Sequence, residues 1–334
     1  MKLLIVTQKV DRTDPILGFF HSWVEGLSKR AEHVTVIGQF VADHTFPSNV
    51  TVLSLGKEDD ATIFAQIFQF WKLIIRYRDS YDRVLVHMVP IWVVLGGKIW
   101  LSLRKPMYLW YEARGKRWPL RVALHFVRKV FSASPHGMPL RTAKSVITGH
   151  GIDTDHFRPG SSREPKLLLT VGRITRAKRL DVLIDALQTL GTGYWLRIIG
   201  GAITGDDRVL EYELREDFRK RGLAAEMGPL EPEAVVPLLQ RADVFLHASE
   251  TSLDKAVLEA MACGCPVVST SAAFKDVLPI ICQATDSASM ANHVGRISAM
   301  SPDERKGLSE SLRKIITEKH SLTKLLDRLV KEMA

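Results

Sequence analysis

Short apolar runs alternate with amphipathic stretches along the chain, and that rhythm predicts its elements. Lys2 to Thr7 (KLLIVT) is apolar enough for a strand buried in a parallel sheet. After a polar loop from Gln8 to Leu17, the residues Phe19, Phe20, Trp23, Val24 and Leu27 share one face of a helix. Val34 to Gly38 and Val50 to Leu55 read as strands. Ile63 to Tyr77 reads as a helix, with Ile63, Ile67, Phe70 or Trp71, and Ile74 at helical spacing. Arg83 to His87 and Met107 to Tyr111 are further strands, separated by a helix over Ile91 to Leu103 despite Gly96-Gly97. Strands that alternate with helices in this way form a parallel sheet covered on both faces.

Around Gly149 to Pro165 the periodicity stops and Gly, Asp, Pro and Ser gather, as in a linker. The rhythm resumes with strands at Leu167 to Val171, Trp195 to Ile199, Val244 to Leu246 and Pro266 to Val268. Helices fall near Arg179 to Leu190, Val209 to Arg221, Pro232 to Arg241 and Asp254 to Cys263. Beyond Asp286 the pattern is helical to the end, with Leu308, Leu312, Ile315 and Ile316, then Leu325, Leu326 and Leu329, marking apolar faces. An α/β chain of 334 residues divided this way is expected to have a domain over 1–150, a hinge over 151–165, a second domain over 166–310 and terminal helices over 311–334.

Composition adds two constraints. Hydrophobic content of 46% with 25% charged residues is ordinary for a globular protein, but a net charge of +9 points to an anionic partner. No apolar run is long enough to span a bilayer, and MKLLIVTQKV suits a strand better than a secretory signal. Cys263, Cys265 and Cys282 fit reduced, buried thiols in a cytoplasmic protein; Cys263-Gly264-Cys265 has no second pair with which to hold a metal. Between Arg114 and Lys144 stand Arg114, Lys116, Arg117, Arg121, Arg128, Lys129, Arg141 and Lys144 without a single acid. With Leu120, Ala123, Leu124 and Val127 as a helical stripe, this segment is either a solvated basic face or a helix resting on anionic lipid headgroups. Zinc-finger and RNA-binding signatures are absent, which argues against nucleic acid.

The richest stretch chemically runs from Leu246 to Ser269 (LHASETSLDKAVLEAMACGCPVVS). A strand, a polar turn, a helix and a second strand make the unit in which an open α/β sheet presents its ligand. Glu259 interrupts an otherwise apolar helix there, and a carboxylate so placed needs a partner. Gly18 and Gly200-Gly201 follow strands and would let backbone approach a phosphate, although a loop glycine is the plainer account of Gly18. His87 ends a strand, where ligands are met; His21 and His150 are further candidates on the amino-terminal side.

Three motifs carry a resemblance. "LEAMACGCPVVS" resembles the donor-site signature of family 4 glycosyltransferases, retaining enzymes of the GT-B fold. "VGRITRAKRLDVLIDAL" (Val171 to Leu187) is similar to that family's GRL-x-x-x-KG-x-D block, and "ITGHGIDTDHFRP" (Ile147 to Pro159) to its inter-domain hinge. The resemblance implies two Rossmann-like domains facing each other across a cleft. It also implies a nucleoside-diphosphate sugar, of UDP or GDP type, as donor, a glycan or lipid-linked acceptor, and no cofactor or metal. On that basis Arg173 and Lys178 would hold the diphosphate and stabilise it as it departs, with Gly172 beside them, while Glu259 would accept hydrogen bonds from the ribose diol. Asp153-Thr154-Asp155 mimics a metal-binding Asp-x-Asp, but inside the hinge motif the turn chemistry of aspartate accounts for it.

The chain departs from the family's pattern at several places. The family's glycine after the lysine is Arg179 here. Its upstream glutamate, as E-x(7)-E, falls on Thr251, with Glu250 one residue earlier, and its Phe-Gly is replaced by Leu253-Asp254, then Lys255. Either Glu250 serves, or sugar recognition passes to Ser252, Leu253, Asp254 and Lys255. Where many relatives carry a histidine near the reacting carbon, this chain has Glu112, which is either catalytic or an ordinary loop acid. The expectation is a cytoplasmic transferase, peripheral on the membrane if the basic segment binds lipid. The alternative is a catalytically inactive sugar-nucleotide-binding protein on the same fold. A phosphorylase would be much longer, and an epimerase gives no reason for the hinge motif or the Glu259 block.

Overall fold

The strands predicted from the apolar runs assemble into two all-parallel sheets in a computed structural model that describes residues 1–14, 16–113, 118–250 and 253–334. In the first unit the order along the chain is β1 (Lys2–Val10), α1 (Phe19–Ser28), β2 (His33–Val41), β3 (Val50–Ser54), α2 (Ile63–Arg76), β4 (Arg83–His87), α3 (Pro90–Ser102), β5 (Met107–Trp110), α4 (Trp118–Phe126), β6 (Lys129–Ser132) and β7 (Ser145–Ile147). The sheet order is β3-β2-β1-β4-β5-β6-β7. Because successive side chains on a strand point to opposite faces, Leu4, Val6, Val84 and Val86 pack under α2, α3 and α4 with Phe70, Trp92 and Leu120. Leu3, Ile5 and Leu85 pack on the other face with Phe20, Trp23 and Leu27 of α1.

The second unit holds β8 (Leu167–Val171), α5 (Leu180–Leu190), β9 (Trp195–Ile199), α6 (Gly205–Arg221), β10 (Ala225–Gly228), α7 (Pro232–Arg241), β11 (Val244–His247), α8 (Lys255–Ala262), β12 (Val267–Ser269), α9 (Ser287–Ser298) and α10 (Pro302–Lys319), with sheet order β10-β9-β8-β11-β12. The chain then ends in α11 (Leu322–Met333), which belongs to the first unit: residues 1–151 and 322–334 form one, 152–321 the other. Leu325, Leu326 and Leu329 of α11 join the core under α1, and Arg30 pairs with Asp327 at 2.7 Å. This return starts at Leu322 rather than at 311, because α10 runs unbroken to Lys319 within the second unit.

Of the segment 151–165, expected as a hinge, Gly151 belongs to the first unit and 152–165 to the second. Arg163 donates from Nη1 to the carbonyl of Ala242 (2.9 Å) and from Nη2 to that of Cys263 (3.0 Å), and Arg313 reaches the carbonyls of Phe157 (3.0 Å) and Ala262 (2.5 Å). Both arginines thus satisfy the orphan carbonyls where α7 and α8 end. Asp153 makes the turn predicted for it, its Oδ1 accepting from the backbone N–H of Asp155 and of His156, each at 3.0 Å. All three cysteines are free and buried, and burial pushes their thiols up to about 11 or 12.

The basic segment is described only in part. Arg114, Lys116 and Arg117 lie outside the described residues. Over the rest, α4 carries Arg121 alone among lysines and arginines, and β6 and β7 occupy much of the chain after it. Of its stripe, Leu120, Ala123 and Val127 are at most 1% exposed and Leu124 is partly buried against the same cluster, so the stripe faces the core. Lys144 caps the end of α4, donating to the carbonyls of Leu124 (2.5 Å) and Val127 (2.8 Å), and Lys129 pairs with Glu332 at 2.5 Å. β6, β7 and β10 escaped prediction because strands of three or four residues with mixed polarity leave no period to read.

Candidate functional site

In the second sheet the chain moves outward from β8 through β9 to β10, then crosses to β11 on the other side of β8. The crevice at such a switch, beyond the carboxyl ends of the strands, is where open α/β sheets take ligands. Here the loops after β8 and β11 meet, and both are the stretches singled out from sequence.

The floor is glycine. Gly172 and Gly200 end the neighbouring strands β8 and β9 with φ of +152° and +146°, a region where other residues are strained. They also stand back to back: a Cβ on Gly200 would lie 1.9 Å from the carbonyl oxygen of Gly172. Over Gly172 lies Lys178, its Nζ 3.1 Å from where a Cβ would be. Gly18 differs. Its φ is −54°, and a Cβ there would meet the carbonyl oxygens of Asp14 (2.6 Å) and Arg12 (2.8 Å). Crowding by its own loop therefore requires that glycine.

Three contacts tie the β8 and β11 loops together. The Lys178 ammonium pairs with Asp254, the Arg179 guanidinium with Glu250 at 2.9 Å, and the Glu250 N–H donates to the Ala177 carbonyl at 3.1 Å. Arg179 takes the place of the family's glycine in a left-handed conformation (φ +48°) that glycine adopts without strain. Its side chain is turned to Asp181 (3.0 Å) and Glu250. Arg173 is exposed and makes no ion pair among the described residues.

Behind Lys178 stands a relay that went unread in the sequence. His247, the last residue of β11, is in register with Ser269, the last of β12. Its Nδ1 lies 2.8 Å from Ser269 Oγ and its Nε2 3.3 Å from Asp254 Oδ2. Burial depresses the imidazole pKa, so the ring is neutral: Nε2–H donates to Asp254, and Nδ1 accepts from the Ser269 hydroxyl. Ser269 Oγ in turn accepts from the Ser271 N–H at 3.1 Å. Burial alone would raise Asp254, but the His247 hydrogen bond and the Lys178 charge hold it well below the usual carboxylate range. Asp254 is also the N-cap residue of α8, although its side chain makes no cap hydrogen bond and is turned to Lys178 and His247 instead. The signal available was a histidine closing a buried strand, but its partners are set by strand register.

Glu259 lies one turn along α8 from Lys255, 3.8 Å from its Nζ, with both side chains about four-fifths buried (17% and 20% exposed). Burial raises the Glu259 pKa, with Asp254 adding to it and Lys255 opposing, and burial lowers Lys255. The Leu253 side chain is in the core, 2% exposed. Thr251 and Ser252 lie outside the described residues.

On the amino-terminal side, the switch falls between β1 and β4, and Thr7 Oγ1 bridges it to His87 Nδ1 at 3.2 Å. His87 is 1% exposed, stacked on Phe20 at 4.1 Å among Trp23 and Trp110. His150 is buried beside Trp110, ring centroids 6.0 Å apart. His21 is half-buried, stacked on Phe46 at 4.1 Å, its Nε2 accepting from the Thr45 N–H. Glu112 is buried, with Oε2 accepting from Ser132 Oγ (2.8 Å), the Ala133 N–H (2.8 Å) and the Ser134 N–H (3.3 Å), and Oε1 from Ser134 Oγ (3.2 Å). Burial raises its pKa against those bonds.

Residues 165–299, which contain the switch-point loops, match the family model "Glycosyl transferases group 1". The chain is 31% identical over 141 residues to the lipopolysaccharide core biosynthesis mannosyltransferase LpsB of Rhizobium meliloti, a match that covers 38% of this chain and only 40% of that relative. Among solved structures, Anabaena HepE in complex with UDP aligns with a TM-score of 0.77 at 15% identity, over 100% of this chain and 99% of that one. A glycosyltransferase from Rickettsia africae aligns with a TM-score of 0.74 at 15% identity, over 99% and 98%. At such identities the likeness is one of fold, and the fold is GT-B, as the motif resemblance implied.

Proposed function

We propose that this protein is a retaining glycosyltransferase that moves a sugar from a nucleoside-diphosphate donor to a glycan or lipid-linked acceptor without a metal ion. One observation carries the reading: Gly172, Gly200 and Lys178 form a bare-backbone floor with a cation above it, at the switch point of the domain that matches the glycosyl transferases group 1 model. HepE has been crystallised with UDP and with UDP-glucose, which supports a UDP-sugar as the donor to try first.

In this reading the diphosphate lies over Gly172, near the amino end of α8, and Arg173 and Lys178 supply the positive charge. As the bond between the sugar's anomeric carbon and the phosphate oxygen breaks, negative charge grows on that oxygen, so cations fixed beside it act mainly on the transition state. The acceptor hydroxyl forms the new bond to the anomeric carbon from the same face and gives its proton to the departing phosphate oxygen. Asp254 keeps Lys178 in place until the diphosphate arrives to compete for it. Glu259 receives the ribose hydroxyls, with Lys255 holding its carboxylate. Glu112 builds the acceptor-side loop through Ser132 to Ser134, both its oxygens being taken by that loop.

A second reading, a sugar-nucleotide-binding protein without catalysis, draws on the ion pairs that already occupy Lys178 and Arg179. Incubation with UDP-, GDP- and dTDP-sugars, followed by thermal shift and by release of free nucleotide, separates the two. A donor-specific rise in melting temperature with turnover supports the transferase. A rise without turnover, even with acceptor extracts added, supports the inactive protein, and no rise with any donor removes both.

A further inference from the structure

Both faces of α2 are apolar, and one of them is turned to solvent. Phe70, Leu73 and Ile74 fill the core, Phe70 lying 4.7 Å from Trp92 and 5.7 Å from Trp100 between ring centroids. Phe64, Phe68, Trp71 and Ile75 are instead 81%, 71%, 38% and 47% exposed. At 3.6 residues per turn these four fall within about 60° of one another, on a stripe roughly 16 Å long. Scattered apolar residues on a surface need no explanation, but a continuous aromatic stripe marks a place of contact. Trp71 Nε1 donates to the Leu95 carbonyl at 3.0 Å, which lays the stripe beside α3, where Leu101 is 56% exposed.

Charge indicates what covers it. Neither α2 (IFAQIFQFWKLIIR) nor α3 (PIWVVLGGKIWLS) contains an acid, and Lys72, Arg76 and Lys98 are exposed on them. Asp59 and Asp60 precede the amino end of α2, away from Lys72 and Arg76, and the acids that follow the helix are matched by arginines, Asp79 lying 3.7 Å from Arg78 and Asp82 2.9 Å from Arg83. α2 has 14 residues, and no described helix is long and apolar enough to cross a membrane. We propose that this face rests on an anionic phospholipid bilayer, the stripe entering the boundary of headgroups and acyl chains while Lys72, Arg76 and Lys98 meet the anionic headgroups. A second copy of the chain fits less well, since a two-fold contact would set the basic patch against itself. The proposal is independent of donor chemistry, because vesicle binding is read with no nucleotide or sugar present.

The test is flotation of the full chain with phosphatidylcholine vesicles, with and without phosphatidylglycerol, at low salt. Wild-type protein should float with the anionic vesicles and stay behind with the neutral ones. Phe64→Glu with Phe68→Glu should weaken partitioning about 10-fold or more at unchanged melting temperature. Lys72→Glu with Arg76→Glu, an independent and exposed pair, should do the same on anionic vesicles. The proposal is overturned by wild-type protein that does not float, by equal flotation on neutral vesicles, or by undiminished flotation of folded variants. A concentration-dependent dimer abolished by the phenylalanine variant, without flotation, would assign the face to a second copy instead.

Discussion

Lys178 and Asp254, 76 residues apart in the chain, meet as an ion pair where the loops after β8 and β11 adjoin. The same oxygen of Asp254, Oδ2, is also held by the buried, neutral His247, so the ammonium is aimed by an anchored partner rather than left to sway in solvent. Lys178→Ala should lower turnover of the nucleotide sugar about 100-fold or more, by removing one charge-assisted contact to the departing phosphate. Asp254→Asn, which keeps the lysine but loosens its placement, should cost less. Steady-state kinetics on both variants decide this, and unchanged turnover in Lys178→Ala would put the diphosphate elsewhere.

Gly200→Ala should be far more damaging than its single methyl suggests. The Cβ would meet the Gly172 carbonyl oxygen at 1.9 Å and would force an L side chain to φ of +146°. Separation of the ends of β8 and β9 is then expected to cost about 3 kcal/mol. Denaturant unfolding would show it as a lowered midpoint, with loss of the thermal shift by nucleotide.

Glu112 separates a building role from a catalytic one. Glu112→Ala strands the N–H groups of Ala133 and Ser134 and the Ser132 hydroxyl, and should cost about 2–4 kcal/mol. Glu112→Gln keeps one accepting oxygen and should recover part of that stability. If Glu112 only builds the loop, turnover per folded molecule in Glu112→Gln stays within a few-fold of wild type, whereas loss of turnover with stability intact would make it catalytic.

His320 gives the protein a pH-dependent stability. It follows α10 and is 7% exposed, and burial, with Lys319 adding to it, holds its pKa down at about 4 against an ordinary 6.5. Below pH 6.5 the unfolded chain takes up a proton that the folded chain refuses. The stabilisation is therefore whole above pH 6.5 and lost as pH falls to about 4, roughly 3 kcal/mol in all. The stability difference between wild type and His320→Gln should shrink by about that amount between pH 7 and pH 4, and a constant difference would contradict the assignment.

Much of this was legible in the residues. The strands from Lys2 and Leu167 announce themselves because a strand buried on both faces must be continuously apolar, and the glycines after β8 and β9 because only they tolerate the backbone there. The helix α6 began four residues before its predicted start, since its capping box uses Thr204 with Asp207 rather than the commoner glutamate. The stripe of α4 was legible as apolar, and the structure packs it against the core. Periodicity shows that a helix has an apolar face, not what that face meets.

What the sequence determined by itself was the α/β rhythm, the order of the loops that carry charge, and the places where backbone must be bare. Tertiary structure alone decided which charges are spoken for. Lys178 with Asp254, Arg179 with Glu250 and His247 with Ser269 are each set by which strand lies next to which and in what register. Those choices are made by long-range packing of the sheet, so the local sequence around each residue holds no record of them.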